Sequence, residues 1–222
     1  MGKHGEVNSD GRTFVLIADP DQWYFYFVHE DKEYNGKGYN HAFRKHTCLH
    51  SPEGVVGDDI LDYMKPNKQV CPSCAAGARR KMFAIIPVYD IEYKTYRVID
   101  TAEFHVNNLI ADYDKIEKTM KKATKNPDYS IVGEAVHIRQ VDKTYSLESG
   151  DADDAALEEA QKFIGMDIDF KELANFRELD DVLAILNEGD DEKLNKSALT
   201  AFGASKPAEG DNDGLADEEL PF

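Results

Sequence analysis

Cys71-Pro72-Ser73-Cys74 presents two thiols separated by two residues, a spacing that lets one tetrahedral zinc ion be gripped from a single tight turn. Cys48 offers a third soft ligand, and three histidines stand close to it in sequence: His41, His46 and His50. Any one of them completes a Cys3His set. Such a set leaves no open coordination position, so the expected role of one Zn2+ is structural and not catalytic. Three cysteines is an odd number, and Met1–Glu6 contains no apolar export segment, so a reduced compartment and a metal are expected in place of disulfides. His29-Glu30 and the many carboxylates of the C-terminal third show no ligand spacing and read as solvated surface.

A second set of residues has the types needed to hold a single nucleic-acid strand, which takes flat rings for bases and cations for phosphates. In Trp23-Tyr24-Phe25-Tyr26-Phe27 the strand alternation puts Trp23, Phe25 and Phe27 on one face and Tyr24 and Tyr26 on the other. The Phe face reads as core. The Tyr face, with polar tips, reads as a wetted groove and supplies the stacking candidates Tyr24 and Tyr26. Tyr34, Tyr39 and Phe43 lie in a loop with Arg44 and Lys45. Arg79-Arg80-Lys81 follows the zinc turn, and Tyr89, Tyr93, Tyr96 and Arg97 surround the next hairpin. Each of these alone has an ordinary explanation, as core ring or solvated charge. Their convergence beside a rigid metal turn is what points to nucleic acid.

The charge is divided unevenly. The chain of 222 residues carries a net charge of -17, yet residues 151–222 hold 6 basic and 21 acidic side chains, a net of -15. The first 150 residues are nearly balanced at -2, so the overall acidity does not exclude a local phosphate-binding surface. The chain ends in Asp217-Glu218-Glu219-Leu220-Pro221-Phe222, an acidic run with an apolar tip whose ring and terminal carboxylate suit a hydrophobic pocket rimmed by cations. No stretch approaches the roughly 18 uninterrupted apolar residues of a membrane helix.

The elements that must position these groups follow from pattern. Residues 13–18 and 22–29 read as strands separated by the turn Asp19-Pro20-Asp21. Residues 30–78 are irregular and contain all three cysteines, with a short helix at 58–64. Two strands follow, 81–90 and 93–101, then a helix over 103–123 in which apolar residues recur at helical spacing and lysines gather toward the C-terminal end. A hairpin returns over 129–147, and 149–155 reads as a linker. The order is consistent with a mainly β protein with α additions: a five-stranded barrel of the OB type over residues 1–150, with a zinc subdomain at about 30–80. Residues 151–196 form an acidic helical segment, and 197–222 are expected to be a disordered acidic tail.

Two resemblances sharpen this reading. The terminal acidic run and Pro-Phe pair resemble the tail of bacterial single-stranded DNA-binding proteins, which recruits other replication proteins. Asn40-His41-Ala42-Phe43-Arg44-Lys45, then Thr47-Cys48, then Cys71-Pro72-Ser73-Cys74, resembles the zinc region of the T-even phage single-stranded DNA-binding proteins. That family has a His-Gly-Phe-Lys-Lys segment, a later Thr-Cys and a Cys-Pro-x-Cys. The apolar strand Lys81–Val88 also matches, and the resemblance covers residues 40 to about 120. It implies His41 as the fourth ligand, although the His41–Cys48 gap is shorter and the Cys48–Cys71 gap longer than in the family. It implies a phage-type protein that coats single-stranded DNA in replication, recombination and repair, in the cytoplasm of an infected bacterial host. Asp217–Phe222 would then recruit a polymerase, helicase or primase. The basic N-terminal segment that drives cooperative filaments in that family is not visible here.

Enzymatic readings fare worse. A zinc deaminase needs His-x-Glu and Pro-Cys-x-x-Cys, but His41-Ala42-Phe43 lacks the Glu and Pro72 follows Cys71. No Gly-rich phosphate loop with Lys and Ser/Thr is present. No catalysis is expected. The competing class is a zinc-stabilised acidic adaptor or nucleic-acid mimic that does not itself bind DNA.

Overall fold

A computed structural model describes residues 10–30, 45–188 and 194–203. Within them the chain forms one antiparallel sheet with helices on its faces and edges. Strands β1 (Arg12–Leu16) and β2 (Tyr24–His29) are separated by a 3-10 turn at Pro20–Gln22, where Asp19 caps the N-terminus through its side chain. A short β3 (His46–Thr47) pairs with the end of β2. A 3-10 helix spans Gly57–Tyr63, and α1 (Pro72–Ala75) opens on a proline at its first position, where the absent N–H costs nothing.

Strand β4 (Arg80–Asp90) is the spine. Along one edge its residues from Phe83 to Asp90 pair with the whole of β5 (Thr95–Ala102). Along the other edge its first half pairs with β2 and its end with β1. Helix α2 (Glu103–Thr124) follows and stops at Lys125, which takes a left-handed conformation with φ 56°. Strands β6 (Ala135–Val141) and β7 (Thr144–Ser149) form the returning hairpin, β6 pairing with β1. Residues 129–134, expected as the start of that hairpin, carry no strand. The strand order is β3-β2-β4-β1-β6-β7, with β5 on the far side of β4. Among the described residues the sheet does not close, because β5 and β7 share no ladder. Helix α2 lies beside that gap and is tied to β7 by Asn108–Thr144, by Asp112 accepting from Ser146 and the Leu147 amide, and by His105 stacked 4.3 Å from Tyr145.

The main core lies between the sheet and α2 and includes Phe14, Leu16, Trp23, Ile86, Val106, Leu109 and Ile138. The other face is not left to water. Helices α3 (Asp154–Gln161), α4 (Phe170–Leu173) and α5 (Leu179–Glu188) wrap back over the sheet and the metal turn. Phe163 packs on Tyr89 and Tyr96, and Phe170 packs on Tyr24. The acidic segment therefore docks on the first 150 residues through its apolar stripe while its carboxylates face solvent. Within the segment expected as tail, Lys196–Phe202 is a 3-10 helix with Leu199 buried against α5 and Ala76. Residues 204–222, including Asp217–Phe222, lie outside the described residues. No helix among the described residues is long and apolar enough to cross a membrane.

Candidate metal centre

The three cysteines converge as expected, but the histidine that joins them is His29. The ligand atoms of His29, Cys48, Cys71 and Cys74 all lie within 4.8 Å of one another, and all four residues are buried. Cys48 Sγ is 3.6 Å from Cys74 Sγ, and His29 Nε2 is 3.6 Å from the sulfurs of both Cys71 and Cys74. A tetrahedron with metal–sulfur bonds of ~2.3 Å has edges of about 3.8 Å, so these separations fit a divalent cation at the centre.

Local structure explains the convergence. Residues 25, 27 and 29 share one face of β2, so the alternation that buries Phe27 also aims His29 at the cysteines. Cys48 follows β3 directly, its amide donating to the Phe27 carbonyl at 2.8 Å. Cys71 is the N-cap of α1, and Cys74 sits one turn later. Burial opposes charge on the imidazole, but the neighbouring thiols of Cys48 and Cys71 outweigh it and push His29 up to about 9. Contacts from Cys48 and Cys74 pull the Cys71 thiol down, while contacts from Cys48 and Cys71 push Cys74 up. A divalent ion held by these residues would displace protons from the thiols, which couples its binding to pH.

Of the three histidines expected as fourth ligand, His41 lies outside the described residues. His46 is buried next to the cluster, its ring 5.5 Å from that of His29, and its Nε2 is hydrogen-bonded to Ser73 Oγ at 2.7 Å. His50 lies against the Tyr63 ring. The sequence does carry a signal for His29: it extends the buried odd-numbered face of an aromatic strand, where a histidine needs a partner.

The expected nucleic-acid residues divide sharply. Tyr24 and Tyr26 are not a wetted platform. Both are buried, stacked on each other at 5.3 Å, with hydroxyls donating to the Pro52 carbonyl and the Asp100 carboxylate. Burial raises both phenols further above their ordinary value. Tyr89 is buried under Phe163, and Tyr96 packs on the same ring. The aromatic residues Phe163, Phe170 and Phe176 in an otherwise acidic segment are the sequence signal for this cover, since rings of that size seek a face to bury. Arg80 is turned inward, onto the metal cluster and three backbone carbonyls. Lys45 lies 3.8 Å from the Phe83 ring centre and near Asp100. Arg97 and Arg12 both pair with buried Asp90 and flank the exposed Tyr93 ring. Tyr34, Tyr39, Phe43 and Arg44 lie outside the described residues.

Arg79 and Lys81 remain exposed in part, sharing Glu30. They line a cleft of about 470 Å³ with Met64, Pro66, Met82 and Phe104. Phe104 is among the apolar residues that recur along α2, yet its ring is 62% exposed at the cleft mouth. No protein-family model, curated protein or solved structure matches the chain.

Proposed function

We propose that this chain is a sequence-independent single-stranded DNA-binding protein of the phage replication type, acting in the reducing cytoplasm of an infected bacterium, with one structural zinc at His29, Cys48, Cys71 and Cys74. The observation that carries the reading is the cleft beside the metal turn. It sets an exposed aromatic ring, Phe104, and an apolar wall, Met64, Pro66 and Met82, next to the cations Arg79 and Lys81. Rings for bases and cations for phosphates are the two requirements of sequence-tolerant binding. A chain with three soft ligands and one imidazole in a closed, buried set favours zinc over harder cations.

The strand pairing supports an OB-type reading of the sheet. β1 and β2 together act as one bent first strand paired to both β4 and β6, and a helix separates the two hairpins β4–β5 and β6–β7. The fold would be a partly open member of that class, with α2 beside the gap. The protein's own segment 154–176 covers the tyrosine-rich face, which moves the DNA path to the metal-side cleft. Asp217–Phe222 would recruit replication proteins.

Labelled oligo-dT titrated with full-length protein and with residues 1–203, followed by fluorescence anisotropy at several salt concentrations, tests the reading. Binding that is indifferent to sequence and falls with salt supports it. Absence of binding by both at low salt rejects it in favour of an adaptor, for which the exposed Leu61, Met64 and Val70 around the metal insertion are the natural contact surface.

A further inference from the structure

Helix α2 carries an exposed lysine stripe that nothing in the described structure neutralises. Lys115, Lys118 and Lys122 are exposed on the helix and Lys125 at its C-cap. Among the described residues no carboxylate pairs with any of their ammonium groups. The acidic groups of the same helix are engaged elsewhere or lie at the edge. Asp112 accepts from Ser146 and the Leu147 amide and Glu117 pairs with Lys121, while the exposed Asp114, one turn before Lys118, and Glu103, beside Phe104 at the cleft, flank the stripe without an ion pair to it among the described residues. At 3.6 residues per turn, Lys115, Lys118 and Lys122 fall on one face within an arc of about 60°. Phe104 falls on that same arc, at the other end of the helix.

Phe104 is also the ring at the mouth of the metal-side cleft. The lysine stripe is thus continuous with the cleft along one helix face. From Phe104 to Lys125 the helix rises about 32 Å at ~1.5 Å per residue. Between them stand Asn107, Asn108 and Ala111, exposed and uncharged. In a chain of net charge -17, four unpaired cations in line with a basic, aromatic cleft constitute a local anion track.

We infer that this face of α2 is a second segment of the single-strand path, with Lys115, Lys118, Lys122 and Lys125 contacting the phosphates of DNA that leaves the cleft past Phe104. The inference rests on the single-stranded DNA reading above and extends its footprint. At the duplex spacing of about 3.4 Å per strand the track spans at most about nine phosphates, and fewer when the strand is stretched. The track contacts no bases, so it lengthens the footprint and steepens the salt dependence without adding sequence preference.

The test compares wild-type full-length protein with the quadruple variant K115Q/K118Q/K122Q/K125Q, and with K121Q, which removes a paired lysine from the same helix. Labelled oligo-dT of about 6 and about 20 nucleotides is titrated between 50 and 200 mM salt. Four lost phosphate contacts flatten the slope of log K against log salt by about 2.8, so wild type should lose about 50-fold more affinity over that range than the quadruple variant. The difference should appear with the long strand, be small with the short one, and be absent in K121Q. Zinc content and circular dichroism confirm that the variants fold.

Equal slopes for wild type and the quadruple variant on the long strand overturn the inference while leaving the DNA reading intact. A variant effect confined to self-association in sedimentation also overturns it, and assigns the stripe to the acidic third of a second copy. If wild type binds neither oligonucleotide at 50 mM salt, the DNA reading itself fails and the track with it.

Discussion

Arg80 Nε lies 3.4 Å from Cys48 Sγ, a hydrogen bond from a guanidinium to a metal-site thiol. The same side chain donates to the carbonyls of His50 and Tyr63 at 2.7 Å and of Met64 at 3.0 Å, and its guanidinium carbon is 3.6 Å from the Phe27 ring centre. Three thiolates and a neutral imidazole around a divalent ion leave one negative charge in a buried site. Arg80 would offset that charge, and it ties the cysteine cluster to the 57–66 segment that walls the cleft. A residue that looks in sequence like one of three phosphate-binding cations is therefore committed to the interior.

Replacing Arg80 should weaken the metal site without touching a ligand. R80A and R80K each lose the planar fork that reaches the thiol and three carbonyls together. We expect zinc affinity to fall about 10- to 100-fold, as for other residues that support a first ligand. Competition with a chromophoric chelator measures this, and a shifted visible spectrum of the cobalt-substituted protein separates an altered ligand field from general unfolding. Unchanged affinity in both variants would show that the contact to Cys48 is incidental.

The purified protein should contain one zinc per chain, and the ligand assignment separates four histidines. H29A and each cysteine-to-serine variant should lose the metal, whereas H41A and H50A should keep it. H46A should keep the metal with reduced affinity, because it leaves the Ser73 hydroxyl in the metal turn without its partner. Because α5 and the 196–202 turn pack on Ala76 just beyond Cys74, chelation should also raise protease sensitivity at 194–203. Metal analysis and limited proteolysis read the two effects.

Much of this layout was legible in sequence because it is local. The strand alternation of residues 24–29, the helical spacing of 103–124 and the Cys-x-x-Cys turn are set by neighbours within a few residues, and the structure has them nearly where pattern puts them. The misses were long-range. His29 reaches the cysteines because β2 pairs with β4 and β3, a relationship no spacing rule encodes across the 18 residues between His29 and Cys48. Tyr24 and Tyr26 looked wettable because their cover, Phe170 and Ala174, arrives from more than 140 residues later. Phe104 has apolar character and helical register, so only the finished packing reveals that it faces out.

That cover makes a truncation prediction. Cutting after residue 150 removes Phe163, Phe170 and Ala174 from the faces of Tyr24, Tyr26 and Tyr89, and α5 from the metal turn. Residues 1–150 should bind a hydrophobic dye and melt well below the full chain, whereas residues 1–203 should melt with it. The single change F170A should cost about 2 kcal/mol, below the usual 3–5 for a phenylalanine because the ring is only partly buried. Chemical denaturation measures this. Indistinguishable melting of 1–150 and 1–203 would mean that the segment is a loose appendage.

Tyr24 and Tyr26 also set an alkaline limit. Burial raises both phenols above the ordinary tyrosine value of about 10, with Glu53 adding to Tyr24 and Asp100 to Tyr26. A phenol raised in the folded state contributes stability that is intact below pH 10 and is lost above it, at up to ~1.4 kcal/mol per pH unit for each tyrosine. Y26F removes one of the two. It should be less stable than wild type at pH 8, for want of the hydrogen bond to Asp100, yet lose stability less steeply between pH 10 and pH 11. Parallel urea titrations across that range give the slopes, and equal slopes would show that Tyr26 is not protected from solvent.

In the cleft, the contributions of ring and cation should separate by their response to salt. On the proposed path Phe104 would stack on a base, so F104A should weaken oligo-dT binding by ~1–3 kcal/mol, about 5- to 150-fold, at every salt concentration. On the same path Arg79 would contact a phosphate, so R79Q should reduce the slope of log K against log salt by about 0.7 and matter least at high salt. Neither change should alter melting by much, since Phe104 and Arg79 are exposed and hold no buried partner. Y24F should leave affinity unchanged, because that ring is sealed beneath Phe170. The alternative path across the tyrosine face inverts this pattern. It requires the 154–176 segment to lift, so F170A would strengthen DNA binding while F104A and R79Q left it unaltered. Anisotropy titrations of these four variants at two salt concentrations distinguish the two paths directly.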